Sequence, residues 1–324
     1  MPETPKLAPA ESTPIPAIDT SKIKAFGLAA AGHDGVMSDE SGSVIIKPCT
    51  TAEVAFYEAS VTSHPKFAAY MPTFFGTLQL GEPTANSIDF TPPVHNRNTN
   101  IVLSNIAYGF TSPCILDVKL GAQLWDEGAS PDKRARLDKV SDNTTSRPLG
   151  FRVAGMKVYK GTGAVGSDPA IDATGYRVFD KYYGRAFTAG NVIDAFKEYF
   201  TSEISSEQVK LVVSRLLRKV SEIREVVEGQ ESRMYSASLL FCYEGNKDAF
   251  EVALKEEDRR KEREAKEQLD EDGEEDEEEE EIKKVEDVKL IDFAHASWTP
   301  GQGPDKNALH GLKNMERFLE NLSV

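Results

Sequence analysis

The chain has 324 residues, of which 40% are hydrophobic, and it carries a formal net charge of −15 at pH 7. This length accommodates two lobes with buried cores, and no apolar run approaches the ~18 residues of a membrane span. The three cysteines, Cys49, Cys114 and Cys242, are widely spaced among apolar neighbours. We therefore expect a globular protein of a reducing compartment, without membrane insertion, a disulfide framework or a zinc site.

Most of the negative charge belongs to one segment. Residues 251–287 contain 20 acidic and 8 basic residues, a net charge of −12, so the rest of the chain carries only −3. Nearly all of 270–281 is Asp or Glu, and this predicts a disordered acidic insertion over 251–287. A disordered tail is predicted at 1–20, which is rich in proline and lacks a signal-peptide pattern. The net charge therefore says nothing against a basic pocket elsewhere.

In the first part of the chain, a β-rich stretch ends at Lys47. Thr50 or Thr51 can cap the helix that follows, and Glu53 lies in its first turn. A lysine that closes a strand and a glutamate that opens the next helix resemble the ATP-binding pair of kinase small lobes. An exposed lysine beside a helix cap is the alternative, and no glycine-rich phosphate loop accompanies the pair.

The most informative stretch is 113–121, which reads PCILDVKLG and follows a predicted strand at 100–106. Alternation along a strand places four apolar residues on one face and Asp117 and Lys119, together with Ile115, on the other. A carboxylate beside an ammonium group suits phosphoryl transfer, because one can orient a hydroxyl while the other neutralises the moving phosphoryl. A surface ion pair on an edge strand is the alternative. The residues expected in the core are Cys114, Leu116, Val118 and Leu120.

A short cationic helix follows this motif. Ser130 and Pro131 predict its start, and Lys133 and Arg136 share one face of it. Such a helix suits a multiply phosphorylated small molecule, while a solvated helix face is an equally good interpretation. Direct nucleic-acid binding is not expected, because no aromatic residues are interleaved with these basic ones.

The remaining pattern predicts strands at 149–159, 235–244 and 288–297 and helices at 205–228 and 307–322. Ser205 and Gln208 form the sequence signature of a capping box at the start of the longer helix. In the strand at 149–159, strict alternation divides the residues between two faces. One face has Phe151, Val153, Gly155 and Lys157, and the other has Arg152, Ala154, Met156 and Val158.

Asp292 follows Leu290 and Ile291 at the end of a predicted buried strand, where kinase-like folds place a metal-binding aspartate. Together with the pattern PxxxDxKxG at 113–121, the Ser-Leu-Leu of 238–240 and the Ile-Asp-Phe-Ala of 291–294, it resembles the inositol polyphosphate kinase family. The resemblance covers residues 25–322 apart from the acidic insertion. Within the family it is strongest to the fungal multikinases.

The resemblance implies a two-lobed α+β fold of the SAICAR synthase/inositol polyphosphate kinase type. ATP and Mg²⁺ would lie between a small β-rich lobe at 21–106 and a larger α+β lobe at 107–324. The substrates would be inositol polyphosphates, carried from the trisphosphate to the tetrakis- and pentakisphosphate. We expect the protein in the nucleus and cytoplasm.

The resemblance also implies roles for individual residues. Asp117 and Lys119 are the catalytic pair, and Asp292 is the metal ligand. The family often has a glutamate where this chain has Ser104, which puts a side-chain contribution to adenine binding in doubt. The implied ATP-binding residues are Lys47, Glu53, Ser104, Ile106, Asp117 and Asp292. The implied substrate-binding residues are Lys119, Lys133, Arg136, Lys157, Lys181 and His295. Both Asp292 and His295 can reach one pocket only if their strand ends near residue 293 or 294.

Three alternatives remain open at this point. Two are related enzymes, an inositol hexakisphosphate kinase and a trisphosphate 3-kinase. The short connection at 125–140 argues against the 3-kinase, for which a long insertion there would be expected. The third is an interaction protein whose acidic insertion docks transcription factors or other basic partners.

Overall fold

The structure is a computed structural model that describes residues 19–27, 35–79, 99–166, 168–267 and 282–323. The predicted tail at 1–20 lies outside the described residues except for Asp19 and Thr20. Residues 268–281, which include nearly all of the acidic run, also lie outside them. None of the described helices is long and apolar enough to cross a membrane.

An antiparallel five-stranded sheet is formed by residues between 24 and 104. Its strands are β1 (Lys24–Ala25), β2 (Met37–Ser38), β3 (Val44–Pro48), β4 (Phe74–Gln79) and β5 (Thr99–Ser104). Their order in the sheet is β1-β2-β3-β5-β4, so the early hairpin continues into the strand that carries Lys47. Two helices, α1 (Thr51–Ser63) and α2 (Pro65–Ala68), connect β3 to β4.

A second antiparallel sheet of five strands is formed by residues between 113 and 291. Its strands are β6 (Pro113–Leu120), β7 (Phe151–Tyr159), β8 (Tyr176–Phe179), β10 (Ser238–Glu244) and β11 (Glu286–Ile291). Two further short strands are β9 (Ser232–Met234) and β12 (Ala296–Trp298). The sheet order is β11-β10-β6-β7-β8, and β9 pairs separately with β12. The motif strand β6 therefore lies at the centre of the sheet, which excludes the edge-strand interpretation of its charged pair.

Further helices lie between and after these strands. They are α3 (Pro131–Asp142), α4 (Ser146–Leu149), α5 (Lys181–Arg185), α6 (Ile193–Tyr199), α7 (Ser206–Glu228), α8 (Lys247–Glu267) and α9 (Lys306–Leu322). Helices α4 to α9 contact strands of the second sheet, whereas α3 packs on α4. The long helices α7 and α9 pack against each other, and their apolar faces join the main core. The alternation predicted for β6 is confirmed, because Cys114, Leu116, Val118 and Leu120 all belong to that core. Two antiparallel sheets with helices packed on the larger one confirm the predicted α+β class.

The strand β7 differs from its predicted alternation. Its register with β6 shifts, so that Asp117 pairs with Gly155 but Val118 pairs with Val153. The extra residue, Ala154, is a β-bulge, and a bulge reverses which face the following side chains occupy. Arg152 and Lys157 consequently lie on the same face of the sheet. Strict alternation had predicted opposite faces for them, and that prediction is wrong. The residues that β7 gives to the core are Phe151, Val153, Met156 and Val158.

The prediction that the whole of 251–287 is disordered is wrong at both ends of this range. Helix α8 extends to Glu267. Phe250 and Ala253 bury its first turns in the core, and Glu257 pairs with Arg215 of α7 further along. Strand β11 begins at Glu286. The strand predicted for 235–244 begins only at Ser238, because the chain turns at Ser236, which has a positive φ of 60°.

The predicted capping box of α7 is present and provides a stability test. The Ser205 hydroxyl accepts from the Gln208 amide, and the Gln208 side chain accepts from the Ser205 amide. Ser205→Ala should lower the free energy of unfolding by about 1 kcal/mol, because an N–H at the helix start loses its partner. Urea unfolding measures this loss. Ser206→Ala is the matched control, and an equal loss in both variants would contradict the assigned cap.

Candidate functional site

One carboxylate joins the two sheets. Asp292 follows β11, and its Oδ1 accepts a hydrogen bond from Lys47 Nζ at 2.8 Å. Its Oδ2 accepts from Lys119 Nζ at 3.0 Å. Lys47 belongs to the first sheet and Lys119 to the second, so the structure brings together three residues that the sequence places up to 245 positions apart.

The pairing of Lys47 with Glu53 follows from the start of α1. The Thr50 hydroxyl caps the helix by accepting from the Glu53 amide, which fixes the first turn. Glu53 is 1% exposed, and its Oε1 lies 3.0 Å from Lys47 Nζ. Burial alone would lower the pKa of Lys47, but the charges of Asp292 and Glu53 outweigh it and raise that pKa. Lys47 is therefore held as a cation.

The chain bends sharply at Asp292. Strand β11 ends at Ile291, and Asp292 has a φ of 66°, in the left-handed region that non-glycine residues rarely adopt. The next residue, Phe293, is fully buried, and its ring packs on Phe56 and Tyr57 of α1. This packing fixes the bend. Asp292 and His295 were expected to reach one pocket only if the strand ended near residue 293 or 294, and it ends two or three residues earlier.

Lys119 is held by a second unusual turn. Its ammonium group donates to the carbonyl of Ser236 and to the Ser238 hydroxyl, both at 3.3 Å. Ser236 also has a positive φ, and its own hydroxyl donates to Leu124 O at 3.0 Å. Asp117, two residues before Lys119, is 2% exposed and lines the cleft beside Asp292. The motif strand thus presents its carboxylate and its ammonium group to the same space.

The cleft between the sheets has a cavity volume of about 120 Å³. Its walls are mainly apolar, and the segment 104–107 runs along one side of it. Ser104 uses its hydroxyl to accept from the Thr73 amide at 2.8 Å, so this side chain holds the entry of β4. The apolar residues that line the cleft include Ile45, Leu103, Ile106, Ala107, Ile115 and Leu240.

Two of the predicted substrate residues, Lys133 and His295, meet at the N-terminal end of α3. Lys133 Nζ lies 3.4 Å from His295 Nε2, and His295 Nδ1 contacts the Asp126 carboxylate. Because an ammonium group can only donate, Nε2 accepts, and Nδ1 carries the hydrogen given to Asp126. Arg136 is exposed one turn further along α3.

The other two predicted substrate residues lie apart from this pair. Lys157 is 9% exposed, donates to the Gly27 carbonyl at 3.3 Å and lies over the Tyr176 ring. Burial lowers the pKa of Lys157, although the charge of Asp172 opposes this. Lys181 is exposed in α5 beside Tyr182. The contacts of Lys157 and Lys181 connect neither of them to Lys133 or His295.

Arg152 is a residue that the sequence did not predict to lie beside the site. The bulge at Ala154 places it opposite Lys119 in the register, on the face that carries Asp117. The available signal was the Ala154-Gly155 pair, since a glycine inside a strand pattern often marks a bulge. Ser236 gave no such signal, because a serine in a left-handed turn has no sequence pattern of its own.

Comparison with known proteins identifies the family. The family described as inositol polyphosphate kinase matches residues 100–320. The inositol polyphosphate multikinase of Saccharomyces cerevisiae is 32% identical, over 88% of this chain and 94% of that protein. The multikinase of Schizosaccharomyces pombe is also 32% identical, over 91% of this chain and 96% of that protein.

More distant relatives and a solved structure agree with this. Inositol hexakisphosphate kinase 1 of Mus musculus is 29% identical, over 68% of this chain and 51% of that protein. A crystal structure of the S. cerevisiae inositol phosphate multikinase in complex with ADP and Mn²⁺ superposes with a TM-score of 0.65 at 31% identity. It covers 86% of this chain and 99% of that one, which confirms the two-lobed kinase-like fold. The chain belongs to the inositol polyphosphate kinase family.

Proposed function

We propose that this protein transfers the γ-phosphoryl group of ATP to ring hydroxyls of inositol polyphosphates, from the trisphosphate to the tetrakis- and pentakisphosphate. The observation that carries the proposal is the Lys47–Asp292–Lys119 array beside Asp117, at the mouth of an apolar cleft. Phosphoryl transfer requires mainly positioning and charge neutralisation, and this array supplies both.

The nucleotide fits the cleft between the sheets. Its apolar walls suit adenine. The amides of Ser104 and Asn105 already donate to the carbonyls of Thr73 and Ser43, so the Ile106 amide would be the main-chain donor to the base edge. Lys47, held by Glu53, lies where it can neutralise phosphate oxygens. Because the Ser104 hydroxyl is already bonded to Thr73, we infer that adenine is bound here through backbone groups.

A divalent cation fits Asp292. Within the described part of the chain, no group of three or more His, Cys, Asp or Glu side chains could hold a metal ion alone. Mg²⁺ commonly binds through one or two carboxylates together with nucleotide phosphates and water, so a single well-placed aspartate is sufficient. We propose Mg²⁺, held by Asp292, and its charge would stabilise the phosphates of the bound nucleotide.

The acceptor would lie between β6 and α3. Asp117 would orient the attacking hydroxyl, and Lys119 would neutralise the transferred phosphoryl. Lys133, Arg136 and His295 provide positive charge or hydrogen bonds for phosphates that the substrate already carries. Lys157 and Lys181 are proposed as further contacts, which requires that the Gly27 contact of Lys157 open when substrate binds.

The related activities are less well supported. The inositol hexakisphosphate kinase relative matches this chain over only 51% of its own length, whereas the multikinase of S. cerevisiae matches over 94%. Helix α3 begins ten residues after Gly121, which leaves no room for the long insertion expected of a trisphosphate 3-kinase. Incubation with labelled ATP and a panel of inositol phosphates tests the proposal directly, and failure to phosphorylate any trisphosphate would contradict it.

Partner binding and localisation are separate proposals. The acidic run at 270–281 has the charge to dock basic proteins, including transcription factors, in the nucleus or cytoplasm. A tagged variant that lacks 270–281 tests this, because its captured partners should change while its kinase turnover does not.

Asp292→Asn should lower kcat by at least about a hundredfold, because a neutral amide holds a divalent cation poorly. Asparagine tolerates the left-handed backbone at this position, so the fold should persist. Asp287→Asn on β11 is the control, since Asp287 pairs with Lys219 and Lys284 away from the cleft. Turnover near that of the unmodified enzyme at saturating Mg²⁺ would show that Asp292 is not the ligand.

Removal of both charges in Lys133→Ala/Arg136→Ala should raise the KM for inositol trisphosphate by about tenfold for each ~1.4 kcal/mol of interaction lost. The KM for ATP should stay the same, and the effect should shrink at high salt because screening weakens exposed charge pairs. The matched control is Lys197→Ala/Lys210→Ala, which removes two exposed lysines from other helices. Equal KM values in both double variants at low salt would favour the solvated-helix alternative.

A further inference from the structure

Arg152 lies beside the proposed site without an assigned role. It pairs with Lys119 in the register of β6 and β7, and directly paired residues point to the same face of a sheet. Lys119 reaches Asp292 from that face. The side chain of Arg152 therefore begins next to the lysine that would neutralise the transferred phosphoryl.

The guanidinium group is buried with few partners. Arg152 is 8% exposed, and its Nη1 donates to the Ser146 hydroxyl at 3.0 Å. A guanidinium has five N–H donors, yet no carboxylate of the described residues lies within 4.0 Å of this one. Arg215 shows the usual structural arrangement, because it contacts both Glu257 and Glu286.

The surroundings of Arg152 disfavour its charge. Burial lowers its pKa to about 10, the nearby charge of Arg185 acts in the same direction, and Asp117 only partly opposes them. A buried cation without a paired anion destabilises a folded protein. An arginine that served stability alone would be expected to have a carboxylate partner here.

We propose that Arg152 binds a phosphate group that the inositol polyphosphate already carries. This inference rests on the proposed function and adds a residue to its substrate site. The planar guanidinium can hold a phosphate through two parallel hydrogen bonds, which a lysine cannot. A bound polyanion would also supply the opposite charge that Arg152 and Arg185 lack in the free protein.

The test compares Arg152→Met, which keeps the length but removes the charge, with Arg152→Lys, which keeps the charge but loses the planar fork. Arg177→Met is the control, because Arg177 lies on the neighbouring strand β8 in a half-exposed ion-pair network. Three quantities are measured for each variant: the KM values for inositol trisphosphate and ATP, the Tm, and the rise in Tm on adding inositol trisphosphate without ATP.

Arg152→Met should raise the KM for inositol trisphosphate about tenfold, leave the KM for ATP within about twofold, and lose most of the substrate-induced rise in Tm. Its Tm without substrate should equal or exceed that of the unmodified protein. Arg152→Lys should be intermediate, and Arg177→Met should match the unmodified protein.

An unchanged KM for inositol trisphosphate in Arg152→Met would overturn the inference, as would a lowered Tm with unchanged substrate affinity. If Arg152→Met does not fold, Arg152→Lys decides by the same criterion. A failure of the proposed function can be distinguished from a failure of this inference. If the unmodified protein binds inositol trisphosphate but does not phosphorylate it, the loss of the Tm rise in Arg152→Met still tests the phosphate contact.

Discussion

The site depends on one carboxylate held between two ammonium groups. Asp292 contacts Lys47 of the first sheet and Lys119 of the second, so a single side chain sets the separation of the two lobes at the cleft mouth. With Glu53 included, the four side chains carry no net charge, and the cost of burying each is offset by its partners. The segment 104–107 lines the same cleft as Asp292, and α3 is linked to this region through the contact of Lys133 with His295.

Two strained residues make the array achievable. Within the described ranges, the non-glycine residues with positive φ are Ser236 and Asp292. A left-handed backbone at such a residue lowers the free energy of unfolding by about 1–3 kcal/mol, and it persists only where the contacts around it hold it in place. At Asp292 the backbone is held by the next residue, Phe293, which is fully buried in the core. At Ser236 it is held by the hydrogen bonds to Leu124 and Lys119. Strain thus lies where the two charged side chains must converge.

These same features divide what the sequence could predict from what it could not. Alternation along β6 was sufficient to place Asp117 and Lys119 on one face, and capping residues located α1, α3 and α7. The bends at Ser236 and Asp292 depend on packing with segments distant in the chain, which a local pattern does not contain. The glycine at 155 pointed to a bulge in β7 but did not fix which residue of the strand is the extra one. Arg152 was missed for that reason, because a shift of one residue changes its face.

The array keeps its side-chain charges paired before any ligand binds, so the free energy of unfolding is not lowered by an uncompensated charge. Lys47 and Lys119 are already desolvated and oriented by Asp292, so a polyphosphate that reaches them replaces one oxygen ligand by another. Under the proposed function, Asp292 would then bind the cation. The charged side chains of the protein would exchange partners, and none of them would have to be newly buried. Arg152 differs, because no carboxylate of the described residues pairs with it directly, and under the proposal above a substrate phosphate would supply its counter-charge.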